Sequence, residues 1–302
     1  MKITNRNNIP TTIADAMAKA QARYSKGESW MSVTGLQRPP RISILSKKNW
    51  NKLEEDVSDS VWKLFGTTMH NILEDGESSS NSLIKEERFF GDFLGKKISG
   101  AVDLQEITDF GIEIGDYKVT KAISVMKNSF SIPSWTQQLN AYAELCQVNK
   151  GLPITRLYIC AFVRDHSPRE AERNPDYPQS PIHILEIDRW TREQRVTWIE
   201  DKVRMHETAE LIDETTGDPP PCTREDRWER GDKYAVKASA DSTRAKKVFT
   251  IKDEAVAYAS ENSKWIIEER LAEPIRCQSY CEVSKFCNQY NQYKEMKNEK
   301  KR

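Results

Sequence analysis

Two short stretches decide how the chain reads: Gly100-Ala101-Val102-Asp103 and, beyond a turn, Gly115-Asp116-Tyr117-Lys118. Both lie in a block whose apolar residues alternate, the pattern of half-buried strands. Residues 83–90, 97–107 and 111–119 are predicted as a three-strand meander that turns through Thr108-Asp109-Phe110-Gly111. In a strand, residues i and i+2 share a face. Asp116 and Lys118 therefore project to one side and Glu113 to the other, and Asp103 joins them if the turn sets the register. Two carboxylates converging on one point cannot both stay ionised cheaply without a cation, and hard oxygen ligands suit Mg²⁺ or Mn²⁺. A lysine beside such an ion can stabilise charge developing on a phosphate. Alone, a D-x-K triplet also describes a surface ion pair, so the flanking elements must decide.

Upstream, residues 56–73 place Val57, Val61, Leu64, Thr68 and Ile72 at helical steps, predicting a helix with one buried stripe. Gly66-Thr67-Thr68-Met69-His70 lies on it, and a polar tract over 75–82 ends it. Downstream, residues 133–148 predict a helix carrying Gln138-Leu139-Asn140-Ala141-Tyr142, followed by strands over 156–163 and 182–187. Between those strands, Pro168, Pro175, Pro178 and Pro181 mark a long exposed loop. Helices are predicted over 11–24 and 191–215, and residues 27–48, with Gly27, Gly35, Pro39 and Pro40, read as irregular. This order is that of an α/β protein with a mixed central sheet flanked by helices.

The four motifs, in this order, resemble the RecB-like branch of the PD-(D/E)XK nucleases: a G-x-x-x-H helix, a G-x-x-D strand, a (D/E)-x-K strand and a Q-x-x-x-Y helix. The likeness covers about residues 60–190. It implies a restriction-endonuclease-like sheet and a Mg²⁺ or Mn²⁺ ion held by His70, Asp103, Asp116 and the Tyr117 carbonyl. Lys118 would be the catalytic lysine, acting with Asp103 and Asp116, while Gln138 and Tyr142 would position DNA or that lysine. The implied activity is metal-dependent DNA hydrolysis, as an exonuclease, leaving 5′-phosphates. Two departures stand out: Val102 replaces the proline of the family's name, and Asp116 replaces the commoner glutamate, shortening a ligand arm. Glu86 and Glu87, on the first strand, count as supporting residues.

The chain has 302 residues, and at about 150 per domain that predicts two parts. The boundary falls at Pro219-Pro220-Pro221, giving an N-terminal segment (1–55), a nuclease core (56–217), a cysteine module (218–293) and a polar tail (294–302). Lys and Arg total 46 and Asp and Glu total 46, which excludes a polycationic nucleic-acid coat but not a local basic groove. The longest apolar run, 158–163, falls far short of the roughly 18 residues a membrane span needs, and the N-terminus has no apolar core. A cytoplasmic protein without a membrane partner is expected.

In that compartment clustered cysteines read as metal ligands rather than disulfides. Cys277, Cys281 and Cys287 form C-x3-C-x5-C, and Cys222 can supply a fourth thiolate. Four thiolates suit a [4Fe–4S] cluster or tetrahedral Zn²⁺; the family likeness favours iron–sulfur, in a clasp that is structural. Cys146 and Cys160 read as small core residues. Arg224, Arg227, Arg230, Lys233, Lys237, Arg244, Lys246 and Lys247, interleaved with Trp228 and Tyr234, read either as a DNA-backbone surface or as a solvated mixed face. The implied partners are DNA and, by likeness to phage-type members acting in recombination, a single-strand annealing protein. The competing reading is a non-cutting DNA-binding module scaffolded by the metal or cluster.

Overall fold

The computed structural model describes residues 1–22, 27–76 and 82–299. The end of the 11–24 helix, most of the 75–82 tract and the last three residues of the tail lie outside them. The chain separates into two compact units, Met1–Arg38 with Glu54–Leu211, and Pro39–Leu53 with Ile212–Arg302.

The first unit is built on a mixed six-stranded sheet: β1 (Met31–Ser32), β2 (Leu83–Phe93), β3 (Lys96–Thr108), β4 (Gly111–Thr120), β5 (Ile154–Val163) and β6 (Ile182–Glu186). The order is β1-β3-β4-β5-β6, with β2 on the other side of β3. Strands β2, β3 and β4 form the expected antiparallel meander, β5 runs parallel to β4, and β6 returns antiparallel. Three helices belong with this sheet: α1 (Val61–Asp75), α2 (Ser131–Lys150) and α3 (Arg192–Thr216), the last ending beyond the unit's boundary.

The core follows from the alternation. Ile98, Val102, Ile112, Ile114, Leu157 and Ile159 on the strands are fully buried with Leu139 and Leu145 of α2 and Ile199 and Val203 of α3. Each such side chain contributes about 1.5–3 kcal/mol of burial free energy. Asn140, fully buried on α2, is answered on every side: it donates to the Thr136 and Asp188 carbonyls and accepts from Trp190 N.

Three expectations need correcting. Residues 27–48 are not irregular; Met31–Ser32 pairs with β3, and helices form over Val33–Leu36 and Pro40–Asn49. Ser32 caps the first of these through Gly35 N, and Pro40 opens the second at N1, where its missing N–H costs nothing. The 165–181 loop contains a short helix, Pro168–Arg173, capped by Ser167. The stripe of α1 is not buried: only Val57, which precedes the helix, is enclosed, while Ile72 is 61% exposed. The face of α1 turned inward is instead the one bearing His70, held by contacts to β2 and β3.

The second unit holds a three-stranded antiparallel sheet of β7 (Lys233–Lys237), β8 (Ala245–Phe249) and β9 (Ile266–Arg270), ordered β8-β7-β9. Helix Pro40–Asn49 belongs to this unit, where Arg41 reaches Asp218 and Lys48 reaches Asp213. Among the described residues no helix is long and apolar enough to cross a membrane.

Candidate active site

The site forms where the β3–β4 ladder stops. Pairing runs from Thr108/Gly111 to Leu104/Gly115, and the next two residues in register are Asp103 and Asp116. On the same side, β1 pairs with β3 only at Ile98 and Ser99. The backbone of Gly100–Asp103 therefore has no ladder partner there, and Tyr117 N donates instead to Asp103 Oδ2 at 2.9 Å. Both carboxylates are buried.

Helix α1 brings in His70, whose Nδ1 lies 3.1 Å from Glu86 Oε1 and 3.5 Å from Asp103 Oδ2. One ligand atom from each of His70, Glu86 and Asp103 falls within 4.8 Å of the others. The second acid, Asp116, stands beside this group and is bridged differently. Gln138 Nε2 donates to Asp116 Oδ1 and to Tyr142 Oη, at 3.0 Å each, and Lys118 Nζ is 2.5 Å from Asp116 Oδ2. That last contact is an ion pair without hydrogen-bond geometry, so Oδ2 is buried and accepts no hydrogen bond.

Each predicted site residue is thus in one neighbourhood: His70 on α1, Asp103 on β3, Asp116, Tyr117 and Lys118 on β4, Gln138 and Tyr142 on α2. Tyr117 enters through its N–H. Glu113 faces away, paired to Arg156 at 3.1 Å. The glycine of the G-x-x-D stretch has a packing reason, because a Cβ on Gly100 would stand 2.7 Å from the Tyr142 ring. The ring comes that close only over a bare backbone.

Sequence reasoning undervalued Glu86. In β2, Lys85 faces Leu104 and Glu87 faces Val102 with no shift of register, so Glu86 stands opposite Asp103 without pairing to it in the ladder. Its φ of 49° is in the left-handed region, uncommon for a residue with a side chain. From that position its carboxylate meets His70. Glu87 does something else, pairing with Lys150 and accepting from Gln105. The only sequence signal was an acidic doublet interrupting an alternating strand.

The electrostatics are those of an acid cluster short of positive charge. Burial, and then the negative charge of Asp116, push the Asp103 carboxyl up to about 7. The Glu86 hydrogen bond, aided by the fields of Asp103 and Asp116, raises His70 despite its burial. Protons partly take the place a cation would fill. Three carboxylate donors and one imidazole match the ligand chemistry of Mg²⁺ or Mn²⁺, and the buried Asp116 Oδ2 accepts no hydrogen bond and is met only by the Lys118 ammonium, which leaves it lone pairs for an ion.

In the second unit, Cys222, Cys277, Cys281 and Cys287 line one cavity. Arg41, itself buried, donates from Nε to Cys287 Sγ at 3.2 Å. Burial pushes the Cys222 thiol up to about 12 and the Cys277 thiol up to about 11, so these sulfurs keep their protons unless a cation replaces them. No three of the four sulfurs lie within 4.8 Å of one another. Of the basic residues in this unit, Arg224 and Arg227 pair with Glu229, and Lys237 pairs with Glu268, so a solvated mixed face describes those three. Cys146 is fully buried, as expected, whereas Cys160 is only half-buried.

No protein-family profile matches the chain, and no curated protein matches it. Among solved structures it is similar to SSO0001, at 15% identity and a TM-score of 0.44, covering 65% of this chain and 84% of that one. It is also similar to a proposed exonuclease from Eubacterium rectale, at 14% identity and a TM-score of 0.29, covering 68% and 81%. Neither likeness bears on the chemistry, which rests on the geometry above.

Proposed function

We propose that the chain is a metal-dependent deoxyribonuclease that hydrolyses phosphodiester bonds, acting as an exonuclease. The observation that carries this reading is the convergence of His70, Glu86 and Asp103 beside the Asp116–Lys118 pair. His70, Asp103 and Asp116, with Glu86 added, would hold the ion. When bound, Mg²⁺ or Mn²⁺ supplies positive charge against the phosphate oxygens and acidifies water. The protein's part is positioning. Tyr142 holds Gln138, Gln138 holds Asp116, and Asp116 fixes the Lys118 ammonium at the mouth of the site. There Lys118 can stabilise charge on a phosphoryl oxygen or give a proton to the departing 3′-oxygen, as the P–O3′ bond breaks and the bond from water forms.

For the four cysteines we propose a [4Fe–4S] cluster, with Zn²⁺ as the alternative. Four thiolates around one zinc ion, with Zn–S of about 2.3 Å, stand about 3.8 Å apart. These sulfurs are not gathered that closely, and the preference for iron–sulfur rests on the sequence pattern, a distant Cys222 with the C-x3-C-x5-C trio. A recombination role beside a single-strand annealing protein rests on family likeness alone.

The test is loss of end-labelled linear and of circular DNA with Mn²⁺, against an EDTA control. Lys118→Ala and Asp116→Ala should each abolish cleavage while the protein still melts cooperatively. Folded variants that cut at the wild-type rate would sink the assignment, and a wild type that binds DNA but never cuts it would favour the scaffolded binding module. Cutting of circles would replace exonuclease with endonuclease action. Iron and sulfide content of anaerobically purified protein separates the cluster from zinc.

A further inference from the structure

Helix α1 carries an unexplained exposed face. Trp62 is 53% exposed and Phe65 is 56% exposed, with the two rings 5.6 Å apart and tilted by 37°. The Arg164 guanidinium sits 3.6 Å from the centre of the Trp62 ring. Exposed aromatic pairs on a monomer's surface mark interaction sites, and this pair is on the helix that supplies His70.

Its position on that helix is specific. Trp62, Gly66 and His70 stand four residues apart, so they form one row along the helix surface. Successive members are about 6 Å apart along the axis. A Cβ added to Gly66 would meet nothing within 4 Å among the described residues. Packing therefore does not require this glycine, and a glycine within a helix destabilises it relative to alanine. What Gly66 provides is a strip of bare backbone leading from the exposed ring to the histidine of the site.

The charge beside this row identifies the occupant. Arg164 N bonds to Thr120 O, so Arg164 stands where β5 and β4 end, two residues beyond Lys118. Lys121 and Lys127 follow in the next segment, and all three basic residues are exposed. None of the three pairs with a carboxylate among the described residues. Unpaired cations track a phosphate backbone, and rings stack on bases that are not already stacked in a duplex.

We propose that Trp62, Phe65 and Arg164 form a platform for unpaired bases, and that the strand runs over Gly66 to the site. The substrate is then single-stranded DNA, or the single-stranded end of a duplex. This deepens the nuclease reading and rests on it for the direction of the strand.

The test separates the two readings. Binding of a fluorescent single-stranded oligonucleotide and of the matching blunt duplex is followed by anisotropy in EDTA, where no cleavage occurs. Wild-type protein should favour the single strand. Trp62→Ala and Phe65→Ala should each weaken single-strand binding by roughly tenfold, with little change for the duplex, and Trp62→Phe should restore most of it. Gly66→Ala should raise the melting temperature, while Gly66→Leu should weaken single-strand binding without lowering that temperature. Unchanged binding by the aromatic variants overturns the proposal, as does equal loss on both DNA forms. A change in oligomeric state on size-exclusion chromatography also overturns it, making the face a contact between copies. If these variants bind normally while wild type cuts DNA with Mn²⁺, only the platform fails. If Lys118→Ala still cuts, only the assignment of the cutting site to Lys118 and its neighbours fails.

Discussion

His70 Nδ1 stands 3.1 Å from Glu86 Oε1, and Glu86 holds a left-handed backbone opposite Asp103, where the β2–β3 ladder skips one pair. A left-handed residue with a side chain costs on the order of 1–3 kcal/mol and persists where its surroundings over-determine it. The carboxylate, not the backbone conformation, should be what matters. Glu86→Gln keeps the shape and removes charge; metal affinity should fall about 10–100-fold, the range for a group that supports or supplies a ligand. Glu86→Gly relaxes the backbone and should leave stability within about 1 kcal/mol of wild type, while losing metal affinity to the same degree. Calorimetric titration with Mn²⁺ and thermal melts separate the two effects. Wild-type affinity in Glu86→Gln would remove Glu86 from the ligand set.

A pH dependence follows from the same cluster. Asp103 is raised to about 7, by burial first and Asp116 second, and His70 is raised chiefly by Glu86. Both groups hold protons more tightly folded than unfolded. Their contribution to stability is therefore fully present below their unfolded values and is lost as pH rises through the folded ones. Metal-free protein should lose the Asp103 part of its stability between about pH 4 and pH 7 and the His70 part only above about pH 6.5, and Asp103→Asn should flatten the first component in a difference of melting curves. A cation competes with the same protons, so the apparent Mn²⁺ dissociation constant should rise roughly tenfold for each pH unit below neutrality. Lys118 and Asp116 face the cluster from β4 and remain in both arms of the comparison. A metal affinity that does not vary with pH would contradict the assignment of these groups as ligands.

Much of this was legible in the chain because it obeys local rules. Period-two alternation located β2, β3 and β4 to within three residues at each end, and helical spacing located α2 and α3. The site residues on β3 and β4 followed from strand parity. Glu86 did not: it stands opposite Asp103 in an unshifted register, but its left-handed backbone is invisible to an alternation rule. The stripe of α1 misled for the opposite reason: Val61, Leu64, Thr68 and Ile72 repeat at core-like steps, yet the inward face is set by His70 and the acids it meets. Residues 27–48 hid two helices because prolines and glycines read as breakers, whereas Pro40 starts a helix and Gly35 is bonded by its cap. The Pro40–Asn49 helix belongs with the C-terminal chain through Arg41, a long-range pairing that spacing alone does not encode.

The stability of the first unit should depend on a buried charge that α2 presents to α3. Glu144 is 1% exposed, with Arg192 Nε at 3.0 Å and Arg195 Nε at 3.5 Å, and Arg195 also donates to Gln147. Breaking a buried pair leaves an uncompensated charge and costs about 3–5 kcal/mol, whereas replacing both partners with apolar groups of similar volume is often neutral. Glu144→Ala should lower stability by that amount in urea titrations. Glu144→Leu combined with Arg195→Met should recover most of the loss. A double variant that loses the sum of both single effects would show that packing, rather than charge, holds these helices.

In the second unit the corresponding test falls on Arg41. Its guanidinium is buried and makes three directed bonds, to Cys287 Sγ, the Pro219 carbonyl and Asp218. Arg41→Ala orphans a buried carbonyl and a buried thiol, which should cost about 2–3 kcal/mol. Arg41→Lys keeps the charge but not the planar fork that makes three directed bonds, so it should recover little of the loss. Cys222→Ser serves as the control, because it removes one proposed ligand while leaving Arg41 and its partners in place. If Arg41 acts by holding Cys287 in position, Arg41→Ala protein should release iron to a chelator faster than wild type, and Cys222→Ser should bind less iron from the outset. Equal iron content and equal release rates in all three proteins would mean that these cysteines do not hold the metal.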